Sequence, residues 1–337
     1  MRVHEAPVLG WGALAHLAGA VPDVVPVLGD ASVPTGSGRA ALRIILEHLS
    51  ATGVLRDRND ALLVPRWICQ SVLHTAHRFS HPVLEPSPGV RAVLAYHQYG
   101  FPQDMDAVSA RCSAEGLYLI EDCANVFGGT YRGRPLGTIG DAAIFSFPKL
   151  FPSLLGGALV SSDEALLERA RSRCEASRRP IAGCLARWLW EVGHGSGPAR
   201  RTRELGEMTY GTIDDRARPP KIALRAVAQA VRAGAIEARK RNYRAIRDRF
   251  ADRPEYLEGL EVDAVPYIVP LFAPEDDLRR MESALRAAGV VTGVYHFDVA
   301  RNVFEPRFVK CLWLPVHQGL DVDEVERICD VAAGAVR

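Results

Sequence analysis

Residues 142–162 read "AAIFSFPKLFPSLLGGALVSS". The outer pieces, "AAIFSF" (142–147) and "GALVSS" (157–162), are short and almost continuously apolar. That is the pattern of strands covered on both faces. Between them stand a lysine and a glycine pair. Lys149 is conspicuous because of 41 basic residues only Lys149, Lys221, Lys240 and Lys310 are lysines. Arginine stays protonated in proteins, whereas a lysine amine can lose its proton in a suitable setting and act as a nucleophile. The alternative is a surface lysine kept by chance, and its neighbours must decide.

The same strand pattern recurs upstream in "ALLVP" (61–65), "RAVLAYH" (91–97) and "LYLIE" (117–121). Helical stretches lie between. "SGRAALRIILEHL" (37–49) sets Leu42, Ile45, Leu46 and Leu49 on one face, and residues 104–116 run from Asp104 to a glycine stop at Gly116. Alternating strand and helix predict an α/β fold with a mostly parallel central sheet sandwiched by helices. A helix is expected over 164–192, a Gly-, Pro- and Arg-rich loop or lid over 193–221, and a long helix over 222–251. A smaller α/β C-terminal domain follows, with strands at 266–272, 292–297 and 311–316 and helices at 275–288 and 321–335. The expected organisation is a large domain over 1–192, a linker over 193–221, and a long helix with the small domain over 222–337.

The 337 residues are 48% hydrophobic and 24% charged, with a net charge of +1. That is ordinary for a globular protein and offers no electrostatic footprint for nucleic acid or an anionic membrane. Seven scattered cysteines with no C-x-x-C pair speak against a zinc or disulfide framework and for a reducing compartment. The uncharged segment 6–22, with His16, two prolines and three glycines, is too short to span a bilayer and lacks a basic leader beyond Arg2. It is expected to dock as a helix, and the cytoplasm is the expected location.

Ligands of open α/β sheets sit beyond the carboxyl ends of the strands. Three features map there. "TGSGRAAL" (35–42) leads small residues into a helix whose N-terminal amides and dipole suit a phosphate, although it is neither a Walker loop nor a dinucleotide fingerprint. A plain helix cap explains it as well. In "LIEDCAN" (119–125) Asp122 follows an apolar strand, where it can meet a cationic ligand group or simply serve a turn. In "FSFPK" (145–149) Ser146 precedes Lys149. Pyridoxal phosphate needs this set: a phosphate anchor, an acid opposite the pyridinium nitrogen, and an amine for the covalent imine.

The run from Glu121 to Lys149 and on to "GGALVSSD" (156–163) resembles the DegT/StrS-type sugar aminotransferases, which are fold-type I pyridoxal-phosphate enzymes. So do "SGRAAL" (37–42), "YHQYGFPQDMDAV" (96–108) and "CLWLPVHQGL" (311–320), so that the resemblance extends over nearly the whole chain. It implies that Lys149 binds the cofactor covalently and shuttles a proton. Asp122 would pair with the ring nitrogen, and Asn125 would take the place of the family's Gln or His near the phenolic oxygen. Ser146 and the amides of Gly38, Arg39 and Ala40 would hold the phosphate. Ungapped counting from Pro65 puts Cys69 where the family has an aromatic stacked on the ring. Trp67, two residues earlier, is the chemically apt choice.

Three departures stand out. The lysine comes two residues after Phe147 rather than four, Arg39 replaces a small hydroxyl residue, and no Asn-Tyr-Arg segment is found around 210–220, while "RNYR" appears later, at 241–244. His97 and Tyr99 are candidate substrate contacts. His74, His77 and His81 share a helical face but lack a local carboxylate or cysteine, so no metal is expected. The resemblance implies a homodimer with the active site at the interface. The implied reaction moves an amino group from an amino acid, glutamate by family habit, to a nucleotide-linked ketosugar or natural-product intermediate. The alternatives are elimination or decarboxylation of a non-sugar substrate with the same cofactor, and a cofactor-binding regulatory protein without turnover.

Overall fold

The computed structural model describes residues 3, 28–29, 31–153, 155–177, 217–219 and 221–336. The segment 6–22, residues 178–192 of the helix expected over 164–192, and residues 193–216 and 220 of the loop or lid expected over 193–221 lie outside the described residues.

In chain order the large sheet's elements begin with strand β1 (Ser32–Thr35), helix α1 (Gly38–Thr52), β2 (Ala61–Leu63), α2 (Gln70–Ala76) and β3 (His81–Val83). They continue with β4 (Val90–Tyr96), α3 (Met105–Glu115), β5 (Tyr118–Cys123) and the small ribbon β6 (Thr130–Tyr131) and β7 (Arg134–Pro135). β8 (Ala142–Ser146), the one-turn helix α4 (Phe147–Leu150), β9 (Gly157–Ser161) and α5 (Glu164–Ala176) complete them. The sheet has seven strands in the order β1-β9-β8-β5-β4-β2-β3. β3, β2, β4, β5 and β8 are parallel, and β9 and β1 close one edge antiparallel.

Side chains alternate between faces along each strand. Leu62, Ala92, Leu94, Ile120, Ala142 and Ile144 bury against one helical layer with Ile45, Leu46 and Leu49 of α1. Their neighbours pack on the opposite layer: Ala143 and Phe145 with Phe127 and Val227, and Val93, Ala95 and Leu119 with Met105 and Val108 of α3. Near-continuous apolar strands are the direct result of this double cover.

Two helices follow, α6 (Lys221–Arg232) and α7 (Ala235–Arg249), in place of the single long helix expected over 222–251. Gly234 breaks the run at φ 81°, a left-handed backbone that suits glycine. The C-terminal part contains β10 (Ile268–Leu271), α8 (Glu275–Ala287), β11 (Val294–Asp298), β12 (Phe308–Pro315) and α9 (Val322–Gly334). Its three strands run antiparallel in the order β10-β12-β11. Their core, built on Val269, Leu271, Leu312, Leu314, Leu278 and Ile328, also takes in Tyr243 and Ile246 of α7. No helix among the described residues is long and apolar enough to cross a membrane.

Candidate active site

The parallel pairing of β4 with β5 sets Tyr96 opposite Asp122, and that of β5 with β8 sets Asp122 opposite Ile144. These positions and Ser146 share the strand parity that faces α1. Asp122 is buried, and its Oδ1 accepts from the Ala124 amide at 2.9 Å. Burial pushes its carboxyl above the ordinary range, while the charge of Lys149, the Ala124 amide and His97 pull the other way. Lys149 thus acts electrostatically on Asp122 across the strand ends. Pro148 fits this turn because the first helical positions need no N–H from it.

The start of α1 meets the same strand ends. Ser37 caps it, its Oγ accepting from the Ala40 amide at 3.1 Å. The Ala40 amide expected at a phosphate is therefore taken within the fold in this structure. A Cβ on Gly38 would stand 3.1 Å from Phe145 O and 3.4 Å from Ser146 Cβ, so the helix start lies directly against Ser146. A Cβ on Gly157 would come within 2.3 Å of Phe145 O and 2.6 Å of Gly38 N. Gly157, the second of the glycine pair after Lys149, therefore lets β9, β8 and the first turn of α1 touch backbone to backbone.

Arg39 follows Gly38. Burial lowers its guanidinium pKa, and the nearby Cys69 thiol counters this. Cys69, itself exposed, thus lies within electrostatic reach of the helix start. Trp67 is 50% exposed and stacks on His296 of β11, with ring centroids 4.3 Å apart and planes 2° from parallel. It also lines a narrow cleft with Pro65, Tyr96, Gln98 and Asp298.

Asn125 is buried, and its Oδ1 accepts a short hydrogen bond from the Tyr96 hydroxyl. The phenol pKa is raised well above its ordinary value by burial first, with Tyr99 and Asp122 adding to it. Nothing in the motif reading pointed to Tyr96. The available signal was its position, one residue before His97 at the carboxyl end of a parallel strand.

The substrate contact expected at His97 is corrected by the structure. His97 and Glu121 are both fully buried, and His97 Nε2 bonds Glu121 Oε2 at 3.0 Å. His97 Nδ1 accepts from the Gln103 amide at 3.1 Å, so both ring nitrogens are engaged within the fold. The cause is strand alternation: Ala95 pairs with Glu121, on the face opposite Asp122. Glu121 also accepts from the amides of Gly137, Ile139 and Gly140 at 2.9, 2.6 and 2.7 Å. Burial would raise this carboxyl, but the His97 bond and charge and the amides of Gly140 and Gly137 outweigh it and hold it below its ordinary value. Ligand atoms of His97, Glu121 and Cys123 lie within 4.8 Å of one another. Through those hydrogen bonds Glu121, backed by His97, braces the 137–140 loop.

Tyr99 adopts φ 58° and stacks on Phe297 at 5.9 Å, and its carbonyl accepts from the Tyr267 amide at 2.7 Å. It is a corner residue between the seven-stranded and the three-stranded sheet. "RNYR" (241–244) is structural: Asn242 Nδ2 donates to the His317 and Leu320 carbonyls, and Tyr243 is fully buried in the small-domain core. The histidine series also breaks up, since His77 ends α2 while His81 opens β3.

Comparison with known proteins agrees with this architecture. Residues 82–191 match the model of the DegT/DnrJ/EryC1/StrS aminotransferase family. Among curated relatives, a Streptomyces venezuelae dTDP-3-amino-3,4,6-trideoxy-alpha-D-glucose transaminase is 32% identical over 166 residues, 42% of this chain and 42% of its own length. A Micromonospora echinospora L-glutamine:2-deoxy-scyllo-inosose aminotransferase is 34% identical over 158 residues, 41% of this chain and 36% of its own. Each of these alignments spans less than half of the relative. The solved structure of the aminotransferase TlmJ from Streptoalloteichus hindustanus superposes with a TM-score of 0.70 at 20% identity, covering 98% of this chain and 97% of that one. The S. venezuelae DesV structure does so with a TM-score of 0.65 at 22% identity, covering 98% and 91%. The fold is that of these aminotransferases.

Proposed function

We propose that this protein is a pyridoxal-phosphate-dependent aminotransferase that carries an amino group from an amino acid to a keto substrate, a nucleotide-linked ketosugar or a related natural-product intermediate. The observation that carries the reading is the buried Asp122 paired with β8, whose following turn holds Lys149, beside a helix start that lies against Ser146 where only glycine fits. These residues fit the cofactor. The close packing of Gly157, Phe145 and Gly38 brings the first turn of the helix against Ser146, where its Gly38 and Arg39 amides would meet a phosphate. Asp122 is a buried acid suited to a cationic ring nitrogen.

When bound, the cofactor supplies an aldehyde for the amine and an electron-withdrawing ring. Lys149 would hold the cofactor covalently through its Nζ and, when released by the donor's amine, would take up and return a proton at the donor's Cα. Asp122 keeps the ring nitrogen protonated. Asn125 offers its amide to the phenolic oxygen, with its Oδ1 held by Tyr96. Ser146, with the amides of Gly38 and Arg39, holds the phosphate. Trp67 or Cys69 covers the ring, and Tyr99 borders the substrate side. Overall the donor leaves as its 2-oxo acid and the acceptor carbonyl becomes an amine, in two half-reactions with ping-pong kinetics. The family resemblance supports a homodimer with the site at its interface, in the cytoplasm.

The test is spectroscopic. Protein mixed with pyridoxal phosphate should turn yellow, and borohydride should fix the cofactor's mass on the Lys149 peptide. L-glutamate or L-glutamine should bleach the band with release of pyridoxamine phosphate, and a panel of keto acceptors should restore it. Lys149→Ala should abolish attachment and turnover, and full turnover in that variant would refute the assignment. Attachment without bleaching by any donor would favour a regulatory role instead.

A further inference from the structure

Arg239 of α7 is 2% exposed, and its hydrogen-bond partners among the described residues are carbonyls and one side-chain amide, with no carboxylate. Its Nη1 donates to the carbonyls of Pro266 and Tyr267 at 3.1 and 3.2 Å, its Nη2 to the Leu150 carbonyl at 3.2 Å, and its Nε to Gln318 Oε1 at 2.8 Å. Gln318 Nε2 in turn donates to the same Leu150 carbonyl at 2.7 Å. Burial pulls the guanidinium down to about 10, so it remains a cation near neutral pH. A buried cation served by carbonyls and one amide oxygen is costly to keep and needs a reason.

That reason lies at Leu150, one residue beyond Lys149. The helix α4 is a single turn closed by Phe151 N to Phe147 O at 2.8 Å. A turn that short leaves its last carbonyls without helical partners, and here two side chains from the C-terminal half take the Leu150 oxygen. A cation at a helix C-terminus also suits its dipole. The same guanidinium holds the 266–267 backbone, whose Tyr267 amide bonds the Tyr99 carbonyl at 2.7 Å, and through Gln318 it holds the turn after β12.

We propose that Arg239 and Gln318 are positioning residues for the Lys149 amine: together they fasten the lysine turn to the seated small domain, so that the amine is aimed only when that domain is docked. The role in turnover rests on the aminotransferase reading above, but the positioning itself can be read without cofactor. The chain's few lysines make this practical. Brief acetylation of the cofactor-free protein, followed by peptide masses, compares Lys149 with the exposed Lys221 and Lys310 as internal references.

Gln318→Leu removes one donor to Leu150 and the acceptor for Arg239 Nε. With the melting transition within a few degrees of the parent, the Lys149:Lys310 labelling ratio should rise severalfold. The rate of borohydride-fixed attachment of pyridoxal phosphate should fall about tenfold, as expected of a misaimed group. Should that variant not fold, Gln318→Asn, which keeps the amide one methylene shorter, should show the same change in weaker form. An unchanged labelling ratio in a folded variant overturns the proposal, whatever the melting temperature. A raised ratio in a protein that never attaches the cofactor upholds the clamp and sinks the aminotransferase reading instead.

Discussion

Tyr96 and Asp122 are register partners on adjacent parallel strands, and the phenol reaches past the acid to the amide of Asn125. The three residues come from a strand, its neighbour and the loop beyond, and they lie together because parallel strands end on the same side of the sheet. Tyr96 thereby engages the oxygen end of the Asn125 amide.

Removing that hydroxyl should therefore affect the cofactor more than the fold. Tyr96→Phe is expected to cost about 1 kcal/mol in stability, the ordinary value of one hydrogen bond. The Asn125 amide is then free to turn, and the dissociation constant for pyridoxal phosphate should rise severalfold in a fluorescence or absorbance titration. An unchanged constant would remove Tyr96 from the site.

The brace beneath the site makes a pH-dependent prediction. Glu121 is held below its ordinary value, so its contribution is present near neutral pH and lost as pH falls through the carboxylate range. Glu121→Gln should cost about 3 kcal/mol in urea unfolding near neutral pH, because it leaves buried donors facing a neutral amide. The gap between variant and parent should narrow at acid pH. Asp122 acts in the opposite sense: its raised value makes the buried charge cost stability as pH rises through that range, so Asp122→Asn should not show the same acid-side convergence.

The glycine contact yields the third prediction. Gly157→Ala would drive a methyl group into Phe145 O and Gly38 N, both backbone atoms that cannot turn aside. A loss of about 1–3 kcal/mol in thermal unfolding is expected. Because the strain falls on the first turn of α1, binding of free pyridoxal phosphate should weaken further than stability alone explains. Gly133→Ala, at a loop glycine with nothing within 4 Å of its would-be Cβ, is the control, showing only the backbone cost of its positive φ.

Strand and helix positions in the large domain were legible because buried parallel strands are almost wholly apolar. "LYLIE" and "AAIFSF" became β5 and β8 to within two residues at each end. The break at Gly234 was missed because α6 and α7 together keep helical composition, and only the backbone shows that the glycine turns left-handed. His97 was misjudged for a different reason. A residue at a strand end can serve either face, and parity places it with Glu121, away from Asp122. Edge strands β1 and β3 run only four and three residues, too short for a periodic signal. Tyr96 and Arg239 stood outside the motif reading, since their roles come from partners 29 and up to 89 residues away in sequence.

The guanidinium of Arg239 also bears on how the molecule comes apart. Peeling the three-stranded sheet with α7 away from the seven-stranded one would strip the Leu150 carbonyl of both its side-chain donors and cost the buried Arg239 guanidinium one of its acceptors. Partial denaturation is penalised from both sides, which favours a single cooperative melt over a stepwise loss of domains.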